Sequence, residues 1–244
     1  MKTALLLIAT GEKYRKYIDP FLRSADEFFV PHDIILWTDL KGLNYRFAPT
    51  IHVVSKTGLG YPKETLHRYH SFLQQEELLR GYDQVFYSDI DMRFVAPVAA
   101  EDIFSNGITA TLHPGFVVHR DRQRGFILES MPTSGTPERC FKSTACLDAS
   151  CKNQYFCGGF NGGNIDSFLK MATKLRDNID KDTTVGITAL WHDESHLNHY
   201  LYHNPPAKIL TPSFCYPEDY HGQFGWSPEK YKPVLLALNK GGRI

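Results

Sequence analysis

Apolar residues enter this chain in short bursts separated by polar punctuation, and the spacing inside each burst says which element it forms. Thr3 to Ala9 is an unbroken run of Ala, Leu and Ile that stops at Thr10-Gly11, the pattern of a strand buried on both faces. Tyr14 to Phe29 changes period: Tyr17, Phe21, Ala25, Phe28 and Phe29 recur at helical spacing, with Pro20 as a kink or first-turn residue. Asp33 to Asp39 and Ile51 to Ser55 read as the next two strands, followed by a loop carrying Gly58, Gly60 and Pro62. Thr65 to Arg80 predicts a single helix with Leu66, Tyr69, Phe72, Leu73 and Leu79 on its inner side. Strand, helix, strand is the βαβ rhythm, so the fold class predicted is α/β, with a Rossmann-like, mostly parallel central sheet flanked by helices.

Farther on, Val85, Phe86 and Tyr87 make a short apolar strand, and Thr109 to Leu112 another that runs into the turn His113-Pro114-Gly115. Residues 118 to 156 are polar and irregular, a long loop of the kind that is usually functional or mobile. Gly158-Gly-Phe-Asn-Gly-Gly163 reads equally as a flexible turn and as backbone cleared of Cβ atoms for a ligand, and it matches neither a dinucleotide fingerprint nor a P-loop. Ile165 to Ile179 is a helix with Phe168, Met171, Ala172 and Leu175 inward, and a further helix begins at Asp193 or Ser195 and buries Leu197 and Leu201. The tail from Lys230 to Ile244 is either a disordered end or a segment that folds over a bound phosphate with Lys240 and Arg243.

Composition narrows the classes. A length of 244 residues suits one α/β domain, 1–244, with a full core. Lys plus Arg and Asp plus Glu both number 27, so no global field favours nucleic acid or an acidic membrane, and any anion site is local. Lys2 followed by a short apolar run imitates a secretory signal, but the run lacks a small-x-small cleavage site and is too short to span a bilayer. With an odd count of five cysteines this points to a reducing, cytoplasmic setting.

Three constellations carry candidate chemistry. Asp89 and Asp91 follow the Val85–Tyr87 strand; if that strand persists through Ile90, both carboxylates share one face and suit one hard cation, although the same pattern is also that of a solvated turn. Arg68, close by in sequence order, is either a surface charge or a cation for a diphosphate or an Asp side chain. Cys140, Cys146, Cys151 and Cys157 crowd the long loop at spacings wider than a zinc knuckle, which favours free thiols over a structural zinc. His192 and His196 are four apart, as in a zinc-protease helix, but Asp193 stands where that motif needs Glu, and Glu194 lies about 200° around a helix from His192. Glu194 suits instead a carboxylate that attacks or stabilises a developing oxocarbenium carbon, with Trp191 as a flat wall for a sugar ring; the bland alternative is a capping Asp193, a solvated Glu194 and a core Trp191.

Taken in order, Tyr87-Ser-Asp-Ile-Asp-Met-Arg-Phe94, Thr111-Leu-His-Pro-Gly-Phe116, Gly158-Gly-Phe-Asn-Gly-Gly163 and Trp191-His-Asp-Glu-Ser-His-Leu-Asn198 resemble glycosyltransferase family 6, and a weaker likeness extends to Thr10–Tyr17 and Thr65–Arg68. The resemblance implies a GT-A fold and transfer of galactose or N-acetylgalactosamine from UDP-Gal or UDP-GalNAc, with α configuration retained, to a galactose-terminated acceptor, fucosylated or not. It implies Mn²⁺, with Mg²⁺ as the alternative, held by Asp91 and Asp89, Asp89 also touching the donor. It places Tyr14, Arg68, Gly158, Gly159, Asp193 and Lys240 at the donor, His113 and Trp191 at the acceptor, Gly115 and Cys157 around the donor pocket, and Glu194 as the catalytic carboxylate. Small residues at the pocket favour N-acetylgalactosamine. The family's membrane anchor and stem have no counterpart in these residues, which implies a bacterial or viral type. Outside the family, a Ca²⁺-dependent carbohydrate-binding module and a sugar-nucleotide hydrolase are the competing readings.

Overall fold

The structure is a computed structural model that describes residues 1–41, 50–116, 136–148, 154–224 and 226–240. Its centre is a seven-stranded sheet in the order β3-β2-β1-β4-β7-β6-β8, formed by Thr3–Ala9 (β1), Asp33–Thr38 (β2), Ile51–Ser55 (β3), Gln84–Ser88 (β4), Ile108–Leu112 (β6), Phe156–Asn164 (β7) and Lys208–Leu210 (β8). The half from β3 to β4 is parallel throughout, and β6 is parallel to β8; β7 runs antiparallel between β4 and β6. The expected mostly parallel, GT-A-like α/β arrangement is therefore present, with one strand reversed inside it.

β1 shows why the sheet sits at the core. All seven of its residues are buried, and because successive side chains point to opposite faces, Ala4, Leu6 and Ile8 join one apolar cluster while Leu5 and Leu7 join the other. Each buried Leu or Ile contributes about 1.5–3 kcal/mol relative to exposure. The same alternation in β4 sends Val85 and Tyr87 to the first cluster and Phe86 to the second. Helix α1 (Glu12–Phe28) covers the second face through Tyr17, Ile18, Phe21, Leu22 and Ala25. Pro20 lies well inside α1, not in its first turn, and on its exposed side, where the carbonyl that loses its partner is open to solvent.

Three expectations change. The predicted helix from Thr65 to Arg80 is three short pieces, α2 (Lys63–Leu66), α3 (Arg68–Leu73) and α4 (Glu76–Leu79), interrupted at His67 and Gln75, whose backbones leave helical geometry. The interruption at His67 lets Arg68 turn inward with Tyr69 and Phe72. The glycine run is not a turn but the middle of β7, paired Val85 with Gly163, Phe86 with Gly162 and Tyr87 with Asn161. A Cβ on Gly162 would stand 2.3 Å from the Val85 carbonyl oxygen, and one on Gly163 2.0 Å from that of Gly107, so only glycine lets these backbones approach. Finally, β4 stops at Ser88, so Asp89 and Asp91 lie on a turn into β5 (Met92–Phe94) and the strand-periodicity argument for their shared face does not apply.

β5 belongs to a second, small sheet, pairing with β10 (Leu235–Ala237), which in turn pairs with β9 (Tyr216–Pro217). This sheet returns the C-terminal tail to the Asp89–Asp91 turn, where the Leu238 amide donates to the Asp91 carbonyl at 3.0 Å. After a short α5 (Ala100–Ile103), helix α6 (Ile165–Thr184) starts on Asn164, whose side chain accepts the Ser167 amide at 2.9 Å, and runs five residues past its predicted end. Helix α7 (His192–His203) follows. Most of the long loop read at 118–156, with Cys151, and Arg243 in the tail lie outside the described residues.

Candidate active site

A cavity of about 680 Å³ opens beyond the carboxyl ends of β1, β2, β3 and β4, where ligands sit in open α/β sheets. Tyr14, Arg68, Asp89, Asp91 and Lys240 line it. So do Thr10, Asp39, Lys56, Tyr61 and Glu64, which were not singled out from sequence. Thr10, Asp39 and Lys56 directly follow β1, β2 and β3 as Asp89 follows β4, while Tyr61 and Glu64 lie farther on, before and within α2. Asp39 also fixes the entry to α1, since both its oxygens accept the Gly11 amide, at 2.9 and 3.0 Å, and Gly11 supplies the positive φ of 77°.

Arg68 is the hub. Buried at the start of α3, its Nε lies 2.9 Å from Asp193 Oδ2, its Nη1 lies 3.5 Å from Asp89 Oδ1, and the same nitrogen donates to the Gly158 carbonyl at 3.2 Å. Its guanidinium stacks 4.4 Å from the centre of the Tyr87 ring, and the Tyr87 hydroxyl donates to Asp89 Oδ1 at 2.5 Å. Burial alone would weaken its charge, but Asp193 and then Tyr87 and Asp89 hold it above its ordinary value. Asp193 is itself pushed up to about 6, chiefly by burial, with Arg68 pulling the other way. One rigid cation thus joins a group from the β4 turn, one from α7 and one from β7.

Glu194 enters next to this hub. The Gly158 amide donates to Glu194 Oε2 at 2.7 Å, which fixes the carboxylate against β7. Burial raises it to about 7, against the Gly158 amide and the Tyr155 hydroxyl, which lower it. A side chain on Gly158 would begin 3.5 Å from that same oxygen. Gly159 is the next link: its carbonyl accepts the Asp89 amide at 2.8 Å, and its missing Cβ would lie 3.3 Å from Asp89 Oδ2. Glu194 and the Asp89–Asp91 turn therefore share one wall of β7.

Asp91 is buried, and its carboxyl is pushed up by that burial and by Asp89, while Lys240 lowers it. Lys240 Nζ stands 2.5 Å from Asp91 Oδ2. Through Lys240 the tail thus folds onto the carboxylate turn. Arg68 and Lys240 supply positive charge to Asp89 and Asp91, and the hard carboxylate oxygens are of the type that suits Mg²⁺ or Mn²⁺. Among the described residues no third His, Cys, Asp or Glu completes a metal cage, so the residues fit an ion whose remaining ligands are donor oxygens and water, not a zinc site.

The remaining predicted residues surround this wall without lining the cavity. His113 accepts the Gly115 amide on Nδ1 at 3.1 Å, is kept neutral by burial that lowers it to about 4, and meets Tyr155 edge-on at 5.7 Å. A Cβ on Gly115 would press on His113 Nδ1 at 3.3 Å. Cys157 is buried with its thiol raised, first by Cys215 and then by burial. Cys140, Cys146, Cys157 and Cys215 are free thiols, so the zinc reading of the loop has no support among the described residues. His196 is buried against Asp182, with Nε2 3.8 Å from its carboxylate, and among the described residues it and His192 belong to no group of three metal-ligating side chains. Trp191 is half-buried, with Nε1 donating to Thr136 Oγ1 at 3.1 Å.

Comparison with known proteins agrees with this arrangement. The sequence profile of glycosyltransferase family 6 matches residues 65–237, a span that holds Arg68, Asp89, Asp91, the glycine strand and Glu194. The chain belongs to glycosyltransferase family 6. It is 27% identical to the histo-blood group ABO system transferase 1 of Rattus norvegicus, over 96% of this chain and 66% of the rat protein. It is 26% identical to the O-antigen biosynthesis glycosyltransferase WbnI of Escherichia coli over 88% of each chain, and 27% identical to the human globoside alpha-1,3-N-acetylgalactosaminyltransferase 1 over 93% of this chain and 61% of the human one. The chain thus spans about two thirds or less of the two mammalian relatives. No helix among the described residues is long and apolar enough to cross a membrane.

Proposed function

We propose that this chain is a retaining α-1,3-glycosyltransferase that moves N-acetylgalactosamine or galactose from its UDP donor to a hydroxyl of a galactose-terminated acceptor, in a reducing, cytosolic setting. The observation that carries the reading is the double role of Arg68, whose one buried guanidinium ties Asp89, at the edge of the cavity, to Asp193, next to Glu194. A diphosphate end and a sugar end are thereby set at a fixed separation by a group that cannot lose its charge.

In this reading the cavity beyond β1–β4 takes the nucleotide, with Tyr14 at its edge, and Asp89 and Asp91 hold Mn²⁺ or Mg²⁺. The bound cation would neutralise charge on the departing diphosphate. Lys240, already at Asp91, adds positive charge on the same side. Asp193, fixed by Arg68, orients the donor sugar, and Glu194, aimed by the Gly158 amide, supplies the carboxylate that the anomeric carbon meets, as nucleophile or as electrostatic partner of a same-face attack. His113, neutral and held by the Gly115 amide, and Trp191 form the acceptor side. The small residues Gly115, Cys157, Gly158 and Gly159 favour the bulkier acetamido sugar.

The test is direct. The chain is incubated with UDP-GalNAc or UDP-Gal, with and without a galactoside, fucosylated or plain, in Mn²⁺ or in EDTA, while UDP release and the anomeric configuration of the product are followed. Acceptor-dependent release with an α product that EDTA suppresses supports the reading. Fast release without acceptor would make it a sugar-nucleotide hydrolase, and saccharide binding with no release a binding module.

A further inference from the structure

Residues 136–148 run beside α6 and α7 and are held there by buried polar groups. Ser143 Oγ donates to Asp182 Oδ2 at 2.6 Å, the Thr144 amide donates to Asp182 Oδ1 at 2.8 Å, and Thr144 Oγ1 donates to the Asn178 carbonyl at 3.0 Å. These bonds fix the far end of the segment to α6. Its near end is fixed differently. Glu138 is only 6% exposed, and its two oxygens go to two separate stretches of backbone: Oε1 accepts the Cys140 amide at 2.7 Å, and Oε2 accepts the Leu190 amide at 2.6 Å.

Leu190 is the residue before Trp191. Two residues before Glu138, Thr136 Oγ1 accepts the Trp191 indole N–H at 3.1 Å, while the Trp191 backbone amide donates to Ser195 Oγ at 3.0 Å. Thr136 and Glu138 therefore grip the ring of Trp191 and the peptide in front of it from one short stretch of chain. A buried carboxylate is costly, and one serving only to close a loop could be replaced by a neutral group. Here the geometry uses both oxygens, one for the segment itself and one for the entry to α7, so the Trp191 ring and the segment cannot move independently.

We propose that Glu138 is a positioning residue for the acceptor, acting through the Leu190–Trp191 peptide on the ring that the acceptor stacks against. The inference rests on the reading of Trp191 as the acceptor wall. Glu138 bonds directly to none of Asp89, Arg68 and Glu194, but the Trp191 carbonyl accepts the Glu194 amide at 3.0 Å, so separate donor and acceptor kinetics distinguish an effect on the ring from one on the whole entry to α7.

The experiment compares Glu138→Gln, Thr136→Val and Ser143→Ala in the full chain. It measures steady-state kinetics for both substrates and the three tryptophan indole N–H signals by NMR, Trp191 being assigned from Trp191→Phe. Glu138→Gln is expected to shift the Trp191 indole signal, leave those of Trp37 and Trp226 in place, and raise the acceptor KM about tenfold, as expected for the loss of a buried hydrogen bond. The donor KM and kcat stay within about twofold. Thr136→Val, which removes a single hydrogen bond to the indole, gives the same pattern in milder form, and Ser143→Ala, at the far end of the segment, lowers the melting temperature without it. A rise in donor and acceptor KM together, or an unmoved Trp191 signal, overturns the proposal. If Trp191→Ala leaves the acceptor KM unchanged while Glu138→Gln still shifts the indole signal, the acceptor reading of Trp191 has failed and the positioning role fails with it, separably from an error about Glu138.

Discussion

Glu194 ionises against its surroundings, and that gives a pH signature independent of any substrate. Its ordinary value of 4.5 is raised to about 7 by burial, so the folded chain holds a proton that the unfolded chain has already released. The resulting stabilisation is complete below about pH 4.5 and disappears as pH rises through about 7. Glu194→Gln, neutral at every pH, removes that loss: its melting temperature falls less steeply than that of the parent between pH 4.5 and 7 and is higher at pH 8, as calorimetry checks. The same substitution should lower kcat at least about a hundredfold while UDP affinity stays within about twofold, since the Gly158 contact is on the sugar side. Arg68 behaves in the opposite sense. Arg68→Met leaves Asp193 buried and unpaired, which costs about 3–5 kcal/mol of stability. Chemical denaturation of that variant at pH 7 and at pH 5 checks it, and the deficit shrinks at the lower pH, where Asp193, raised to about 6 even with its partner present, is protonated.

Elements carry their own tests, and the glycine strand is the sharpest. Gly162→Ala drives a methyl to 2.3 Å from the Val85 carbonyl, between two central strands, and is expected to cost upward of about 3 kcal/mol or to prevent soluble expression. Gly186→Ala, where nothing lies within 4 Å and only a φ of 71° must be tolerated, costs about 1 kcal/mol. Equal melting temperatures for the two would contradict the strand assignment. The glycines show where local pattern stops being informative: their role is set by Val85 and Gly107, remote in sequence, which strip β7 of the side chains by which a strand is recognised. Strands whose burial is declared by their own residues were legible, Thr3–Ala9 and Ile51–Ser55 to the residue, and α1 within two residues at its start. The stretch from Thr65 to Arg80 has helical periodicity throughout, but the ion pairs of Arg68 with Asp193 and Asp89 turn the chain at His67. Asp89, Asp91 and Glu194 stood out from their own pattern, since carboxylates adjoining an apolar run are conspicuous, whereas Asp193 was assigned to the donor only through the family resemblance. Tyr155, Cys215 and Glu138 were not, because what distinguishes each is a neighbour brought in by the tertiary fold.

At the scale of the molecule, the site is closed by the last described residues of the chain folding back onto a turn some 150 positions earlier: β10 pairs with β5, and Lys240 reaches Asp91. Lys240 is the counter-charge of Asp91 and Arg68 that of Asp89, so on the proposed reading a divalent cation would compete with the tail lysine for Asp91 unless a diphosphate takes the lysine. Cation and nucleotide binding would then be mutually supportive. Mn²⁺ alone or UDP alone should raise the melting temperature little, whereas both together, at about a hundred times the dissociation constant of the complex, stabilise by about 2.7 kcal/mol, or about 5–10 °C for a chain of this size. EDTA should cancel the combined shift. Asp91→Asn should lose it, because an amide opposite Lys240 neither attracts the cation nor demands one, and Lys240→Met should enlarge the response to Mn²⁺ alone while weakening the response to UDP. Calorimetry on the three proteins decides it: additive shifts in the parent chain, or an Asp91→Asn variant that still responds to the pair, would mean that the cation and the diphosphate do not meet at this turn.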